Sequence, residues 1–139
     1  QRQAIHGIKN MIKSWQGTIV DCIPLVNHIL QMEAELFEET QVIDQSVEES
    51  VGFAQLMIES LCDQKEYSAA ESVVRSLVET YEVCCGLAHA NTQNAIKFLS
   101  RILRKQDKYA EAVFIASLWK TTKEDVVMEK GPALKTKKL

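Results

Sequence analysis

Residues 61–74, LCDQKEYSAAESVV, are matched 42 positions later by residues 103–116, LRKQDKYAEAVFIA, and this internal match decides the expected fold. Four of the 14 aligned positions are identical: Leu61 and Leu103, Gln64 and Gln106, Tyr67 and Tyr109, and Ala70 and Ala112. In both stretches a short polar break precedes an apolar run that opens with an aromatic residue. This order is typical of a tight turn inside a helical hairpin, where the alanine allows close approach and the tyrosine fills the wedge between the helices. Because one hairpin cannot bury its apolar face alone, the repeat predicts stacked hairpins.

Helical periodicity extends over most of the chain outside the repeat. Its cleanest stripe is Ala70, Val73, Val74, Leu77, Val78 and Tyr81. The pattern predicts six helices in three antiparallel pairs and no strand. We expect Thr18, Ser46 and Thr92 to cap helix starts, Gly86 to end a helix in a left-handed conformation, and residues 38–45 to form a loop or a frayed end. Pro24 is expected in the first turns of a helix or at a kink.

Composition and the spacing of motifs argue against several classes of protein and several kinds of functional site. The chain has 139 residues, the size of one domain, with only 5 glycines and 2 prolines, and no apolar run is long enough to span a membrane. Residue 1 is Gln and no signal peptide opens the chain, so we expect a fragment of a longer, cytoplasmic protein. The four cysteines lack metal-ligand spacing, which favours buried reduced thiols and leaves open a redox role for the Cys84–Cys85 pair. We find no catalytic or phosphate-binding motif and expect no enzyme activity, cofactor, metal or small-molecule substrate.

Charge is distributed unevenly along the chain. Residues 41–85 carry 2 basic and 9 acidic side chains, whereas residues 86–139 carry 11 basic and 5 acidic ones. The candidate partner-binding residues are Lys97, Phe98, Arg101, Arg104 and Lys105, with Lys108 nearby. The spacing puts the four cations on one helix face, which suits an acidic peptide or helix, although a merely solvated face would show the same pattern. Nucleic acid and membrane are not expected as partners.

Two segments resemble a known family. Residues 86–92 (GLAHANT) with residues 105–112 (KQDKYAEA), and the similar turn at residues 63–71, look like the 42-residue tetratricopeptide repeat of the kinesin light-chain type. The resemblance covers residues 46–119 and implies an all-α, right-handed solenoid in which the helix carrying Lys97 lines the concave groove. The chain departs from the family at Ala90, where the family has proline, and at Lys65 and Asp107, where it has a turn glycine. The family's paired groove asparagines are also absent.

These observations predict three regions and one main function. Residues 1–45 are expected to form a degenerate or capping hairpin, residues 46–122 two repeats, and residues 123–139 a basic tail or linker. Trp119 is expected to cover the exposed end of the last hairpin. The expected function is a scaffold or adaptor that binds a peptide or helix in the solenoid groove. The alternatives are a regulatory domain that docks on its own enzyme and a structural subunit of a large assembly.

Overall fold

The computed structural model describes residues 2–118, and every regular element in that range is a helix. The helices are α1 (Arg2–Lys13), α2 (Ile19–Thr40), α3 (Gln45–Asp63), α4 (Tyr67–Cys85), α5 (Ala90–Lys105) and α6, which begins at residue 109 and reaches residue 118. Neighbouring helices pack on one another from α1 to α5, and α2 also packs along α4. The all-helical prediction is therefore confirmed for this range. The expectations for Trp119 and for the tail at 123–139 lie outside the described residues.

The apolar side chains of the predicted stripe on α4 form part of the core. Ala70, Val73, Val74 and Leu77 are fully buried, and Tyr81 is almost so. They belong to one apolar cluster that extends from α2 through α5 to Ala112 on α6. Because a 3.6-residue period keeps these side chains on one side of α4, the helix can bury them between its neighbours and leave its opposite face to water.

The 42-residue repeat is also a repeat of backbone geometry. Lys65 and Asp107 both adopt left-handed conformations, with φ of 61° and 63°. The amide of the next residue closes each turn onto the carbonyl five residues earlier: Glu66 to Leu61 at 2.8 Å, and Lys108 to Leu103 at 2.9 Å. The two hairpins therefore turn in the same way, although neither has the glycine that this conformation favours.

The alanine of the repeat is buried in both hairpins, whereas the tyrosine differs between them. Ala70 and Ala112 are both fully buried, as predicted. Tyr67 is half-buried against the core, but Tyr109 is 60% exposed and donates its hydroxyl to Asp107 at 3.0 Å. The prediction that both tyrosines fill a wedge is therefore wrong for Tyr109. Two further helices follow α4, whereas no described helix follows α6 to cover its tyrosine.

One predicted cap of α2 and α3 is confirmed, and two of their boundaries differ from the prediction. Thr18 caps α2 by accepting from the amide of Asp21 at 3.4 Å. The predicted loop at residues 38–45 is shorter, because α2 continues to Thr40. Asp44 rather than Ser46 caps α3, since its carboxylate accepts from the amide of Ser46 at 3.0 Å.

The caps predicted at Gly86 and Thr92, on either side of the link between α4 and α5, also differ from the prediction. Gly86 ends α4 with positive φ, but its ψ of 156° is extended rather than left-handed helical, because the chain leaves α4 directly toward α5. His89 caps α5, and its Nδ1 accepts from the amide of Asn91 at 3.0 Å. Thr92 is instead fully buried and donates to the carbonyl of Gly86 at 2.8 Å. The buried Gln93 donates to the carbonyl of Leu87 at 2.7 Å.

A buried ionic network attaches α1 to α2 and α3. The ammonium of Lys9, on α1, donates to the carbonyl and hydroxyl of Ser46 at 2.8 and 2.9 Å and to Glu49 at 3.0 Å. It also lies 3.6 Å from Glu33 of α2. One carboxylate oxygen of Glu33 accepts from the hydroxyls of Ser46 and Ser50 at 2.7 and 2.6 Å. Lys9 and Glu33 are 4% and 1% exposed, so this pair is removed from water.

Candidate partner-binding surface

Helix α5 divides its side chains between the core and the surface. Its apolar residues Ile96, Leu99, Ile102 and Leu103 are buried. The predicted cations Lys97, Arg101, Arg104 and Lys105 are all exposed, and Phe98 is half-buried against the core. The cations span nine residues of helix, or about 12 Å for eight steps of 1.5 Å. The structure therefore brings the predicted site residues together on one helix, with only part of the Phe98 ring available to a partner.

Three of the four cations on this surface have no carboxylate nearby among residues 2–118. No carboxylate in the described range 2–118 lies within 4.0 Å of the guanidinium groups of Arg101 and Arg104 or the ammonium of Lys105. Arg104 and Lys105 also occupy the last turn of α5, where cations interact favourably with the helix dipole. Arg101 stands one turn earlier, where that local effect is weak, so stability of the helix does not account for its charge.

Lys108 does not belong to this surface, contrary to the prediction that grouped it with the other cations. Its ammonium lies 3.1 Å from a carboxylate oxygen of Glu71 on α4. Glu71 also accepts from Arg75 at 2.7 Å and from Gln106 at 2.9 Å. Burial by itself would raise the pKa of Glu71, but these three donors outweigh it and the pKa is lowered. Lys108 therefore joins two hairpins rather than facing a partner.

The positions 42 residues before the four cations form only a weak acidic counterpart to this surface. Gln55, Glu59, Cys62 and Asp63 align with the four cations, but only Glu59 and Asp63 are exposed. Gln55 is half-buried and donates to the hydroxyl of Tyr81 at 3.4 Å. Cys62 packs against the core. The contrast in charge between α3 and α5 therefore rests on two carboxylates and four cations.

An apolar depression of about 300 Å³ lies between the end of α1, the start of α2 and the middle of α3. Trp15, Phe53 and Leu56 line it, and Leu56 is 67% exposed. The depression could not be predicted from the sequence. Leu56 could be identified as exposed because it lies off the buried stripe of α3, whereas the contribution of Trp15 depends on how α1 packs.

The cysteines show no activated thiol. All four are free, and burial raises the pKa of Cys22, Cys62 and Cys85. Burial raises the pKa of Cys84 to about 11, with smaller contributions from the neighbouring Cys85, Glu33 and Glu38. Because the thiolate is the reactive form, protonated thiols disfavour a redox role for the Cys84–Cys85 pair.

Residues 2–118 hold neither a candidate metal site nor a helix able to span a membrane. In that part of the chain, no group of three His, Cys, Asp or Glu side chains is arranged to hold a metal ion. None of its helices has the length and apolar character needed to cross a membrane. Comparison with protein-family models, curated proteins and solved structures finds no significant match.

Proposed function

We propose that this chain is a protein–protein interaction module, a scaffold or adaptor of a longer cytoplasmic protein, and that α5 binds an acidic peptide or helix. The observation that carries the proposal is the exposed row of cations on α5, in which Arg101, Arg104 and Lys105 lack a carboxylate partner within residues 2–118. Exposed charge of one sign on a rigid helix steers an oppositely charged partner and fixes its register.

The resemblance to the tetratricopeptide repeat supports a helical partner or an extended peptide. It assigns α5 to the concave side of a right-handed solenoid, where Lys97 and Arg101 would face the ligand and the exposed part of Phe98 would supply an apolar contact. The repeated turn geometry at Lys65 and Asp107 agrees with stacked hairpins. The module binds without catalysis in this proposal, and its four free thiols suit a reducing compartment.

A binding titration with a defined probe tests the proposal. The probe is a fluorescein-labelled synthetic helix with glutamates on one face and leucines on the other, and the readout is fluorescence anisotropy. We expect Arg101→Glu/Arg104→Glu to weaken binding at least tenfold, or about 1.4 kcal/mol. Wild-type affinity should fall as salt is added, because salt screens exposed charges.

The matched control is Lys13→Glu/Lys65→Glu, which changes the net charge equally at exposed positions away from α5. Circular dichroism confirms that each variant is folded. Equal binding by both double variants would refute the α5 site. An affinity that does not change with salt would point to an apolar contact and favour a permanent subunit interface instead.

A further inference from the structure

A groove of about 480 Å³ runs between α2 and α4. Asn27 of α2 donates to the hydroxyl of Ser72 of α4 at 3.0 Å. Thr80 of α4 donates to the backbone carbonyl of Leu30 of α2 at 3.2 Å. The second contact lies nearer the C-terminal end of both helices, so α2 and α4 run in the same direction. Within the described range, all residues that line the groove belong to these two helices.

Carboxylates supply the charge of this groove. Glu35 and Glu38 of α2 and Glu79 of α4 line it and are exposed. Among residues 2–118, no Lys or Arg side chain lines it. Helix α2 holds five acidic residues and no Lys or Arg, and the single basic residue of α4, Arg75, is paired with Glu71. The groove is therefore an anionic surface.

The opposite charge is found on α5. Its 16 residues include four basic side chains and no acidic one, which is the reverse of α2. The row of cations extends about 12 Å along the helix axis. The groove follows α2 from Pro24 to Glu38, or about 21 Å at 1.5 Å per residue. The groove is thus long enough to receive the whole row.

Within one copy the two surfaces lie apart. Among residues 2–118, no side chain of α5 lines the groove, and no carboxylate is within 4.0 Å of Arg101, Arg104 or Lys105. A contact between two copies would bring both sets of charges together. It would also cover apolar side chains at the edge of the groove, among them Pro24 and Val83.

We propose that α5 of one copy binds in the groove between α2 and α4 of a second copy. The exposed side of α5 lies along the groove, which places Arg101 and Arg104 among the three carboxylates, and the complementary charges fix the register. The inference rests on the proposed function, because it names the acidic partner of α5. The contact joins two different surfaces, so each pair of copies keeps one surface of each kind for further copies.

Sedimentation velocity of the full chain tests this proposal. We expect the wild-type protein to associate as its concentration rises at low salt and to dissociate when salt is added, because salt screens exposed charges. Arg101→Gln/Arg104→Gln neutralises half of the cations on α5, and Glu38→Gln/Glu79→Gln neutralises two of the three groove carboxylates. Each double variant should sediment as a monomer at concentrations where the wild type associates.

A mixture of the two variants gives a sharper test. The first keeps an intact groove and the second an intact α5, so the mixture restores one complete contact and should form dimers with one copy of each. The matched controls are Lys13→Gln/Lys65→Gln and Glu48→Gln/Glu59→Gln, which change the net charge equally at exposed positions outside both surfaces. These controls should associate as the wild type does, and circular dichroism confirms that every variant is folded.

A wild type that stays monomeric at millimolar concentration and low salt would overturn the proposal, and so would a mixture that stays monomeric. Association that resists salt, or that the controls weaken equally, would show a different interface. Association lost in the glutamate variant but kept in the arginine variant would assign the groove to another basic segment. The acidic helix probe distinguishes the two proposals: if it binds α5 of a monomeric wild type, the proposed function stands and only self-association is refuted.

Discussion

Replacing Lys9 by methionine should destabilise the protein more than any surface change. The substitution keeps most of the aliphatic stem but removes the ammonium, and the carboxyl group of Glu33 is left at 1% exposure with only the hydroxyls of Ser46 and Ser50 as donors. Among residues 2–118 nothing donates to its second carboxylate oxygen even in the intact protein. Breaking a buried pair by removing one partner costs about 3–5 kcal/mol, chiefly because a charge remains buried without compensation.

Urea unfolding followed by circular dichroism measures this effect. Domains of this size are stable by about 5–15 kcal/mol, so Lys9→Met should remove a large fraction of the total. With a slope of about 2 kcal/mol per molar urea, the midpoint should fall by about 2 M.

The double variant Lys9→Met/Glu33→Leu separates loss of the pair from loss of packing. Replacing both partners by apolar residues removes both buried charges, so the double variant should recover much of the stability that the single variant loses. A single variant within about 1 kcal/mol of wild type, or a double variant less stable than the single one, would refute the reasoning. The first result would mean that water already compensates Glu33, and the second that the packing of the two side chains matters more than their charges.

Three further predictions concern the repeat and the ionic contacts. Lys65→Gly should raise the free energy of unfolding by about 0.5–1 kcal/mol, because glycine accepts the positive φ without strain; an unchanged or lower urea midpoint would contradict this. Ala112→Leu should overpack the second hairpin and lower that free energy by about 1–3 kcal/mol, so an unchanged melting temperature would show that the site has room. The ion pairs lower the pKa values of Glu71, Glu49 and Asp44. Stability should therefore be highest above the ordinary pKa values of these groups, near 4, and should fall as the pH drops through the lowered values. Glu71→Gln should make the loss of stability in acid smaller, which melting temperatures measured at several pH values would reveal.

Local patterns in the sequence were enough to predict the helices but not all of their ends. The stripe on α4 and the small residue at position 112 follow from periodicity and from the internal repeat, because the 3.6-residue period sets which side of a helix is apolar whatever packs on it. The caps at Ser46 and Thr92 failed because other contacts took their hydroxyls: Ser46 donates to Glu33 on α2, and Thr92 to the carbonyl of Gly86 in the link before α5. A capping motif gives no information about acceptors outside the helix that it opens.

In the candidate site too, some features follow from local sequence and others depend on tertiary packing. The exposure of Arg101 and Lys105 follows from their place opposite the buried face of α5, so the sequence could place them. The pairing of Lys108 with Glu71 could not be read from the sequence, because the two residues are 37 positions apart and meet only when the hairpins stack. The apolar depression beside Trp15 depends in the same way on the packing of α1 and α3.

Two hydrogen bonds hold the link between α4 and α5 in place, and they affect how a partner would be recognised. Thr92 and Gln93, both in the first turn of α5, bind the carbonyls of Gly86 and Leu87 just before it. The second hairpin therefore cannot swing on its linker without breaking two hydrogen bonds, one of them made by a fully buried threonine. Arg101 and Arg104 are held at a fixed angle to the first hairpin before any partner arrives. A ligand would meet a preorganised row of charges, and the entropy lost on binding would come mainly from the ligand and from the arginine side chains.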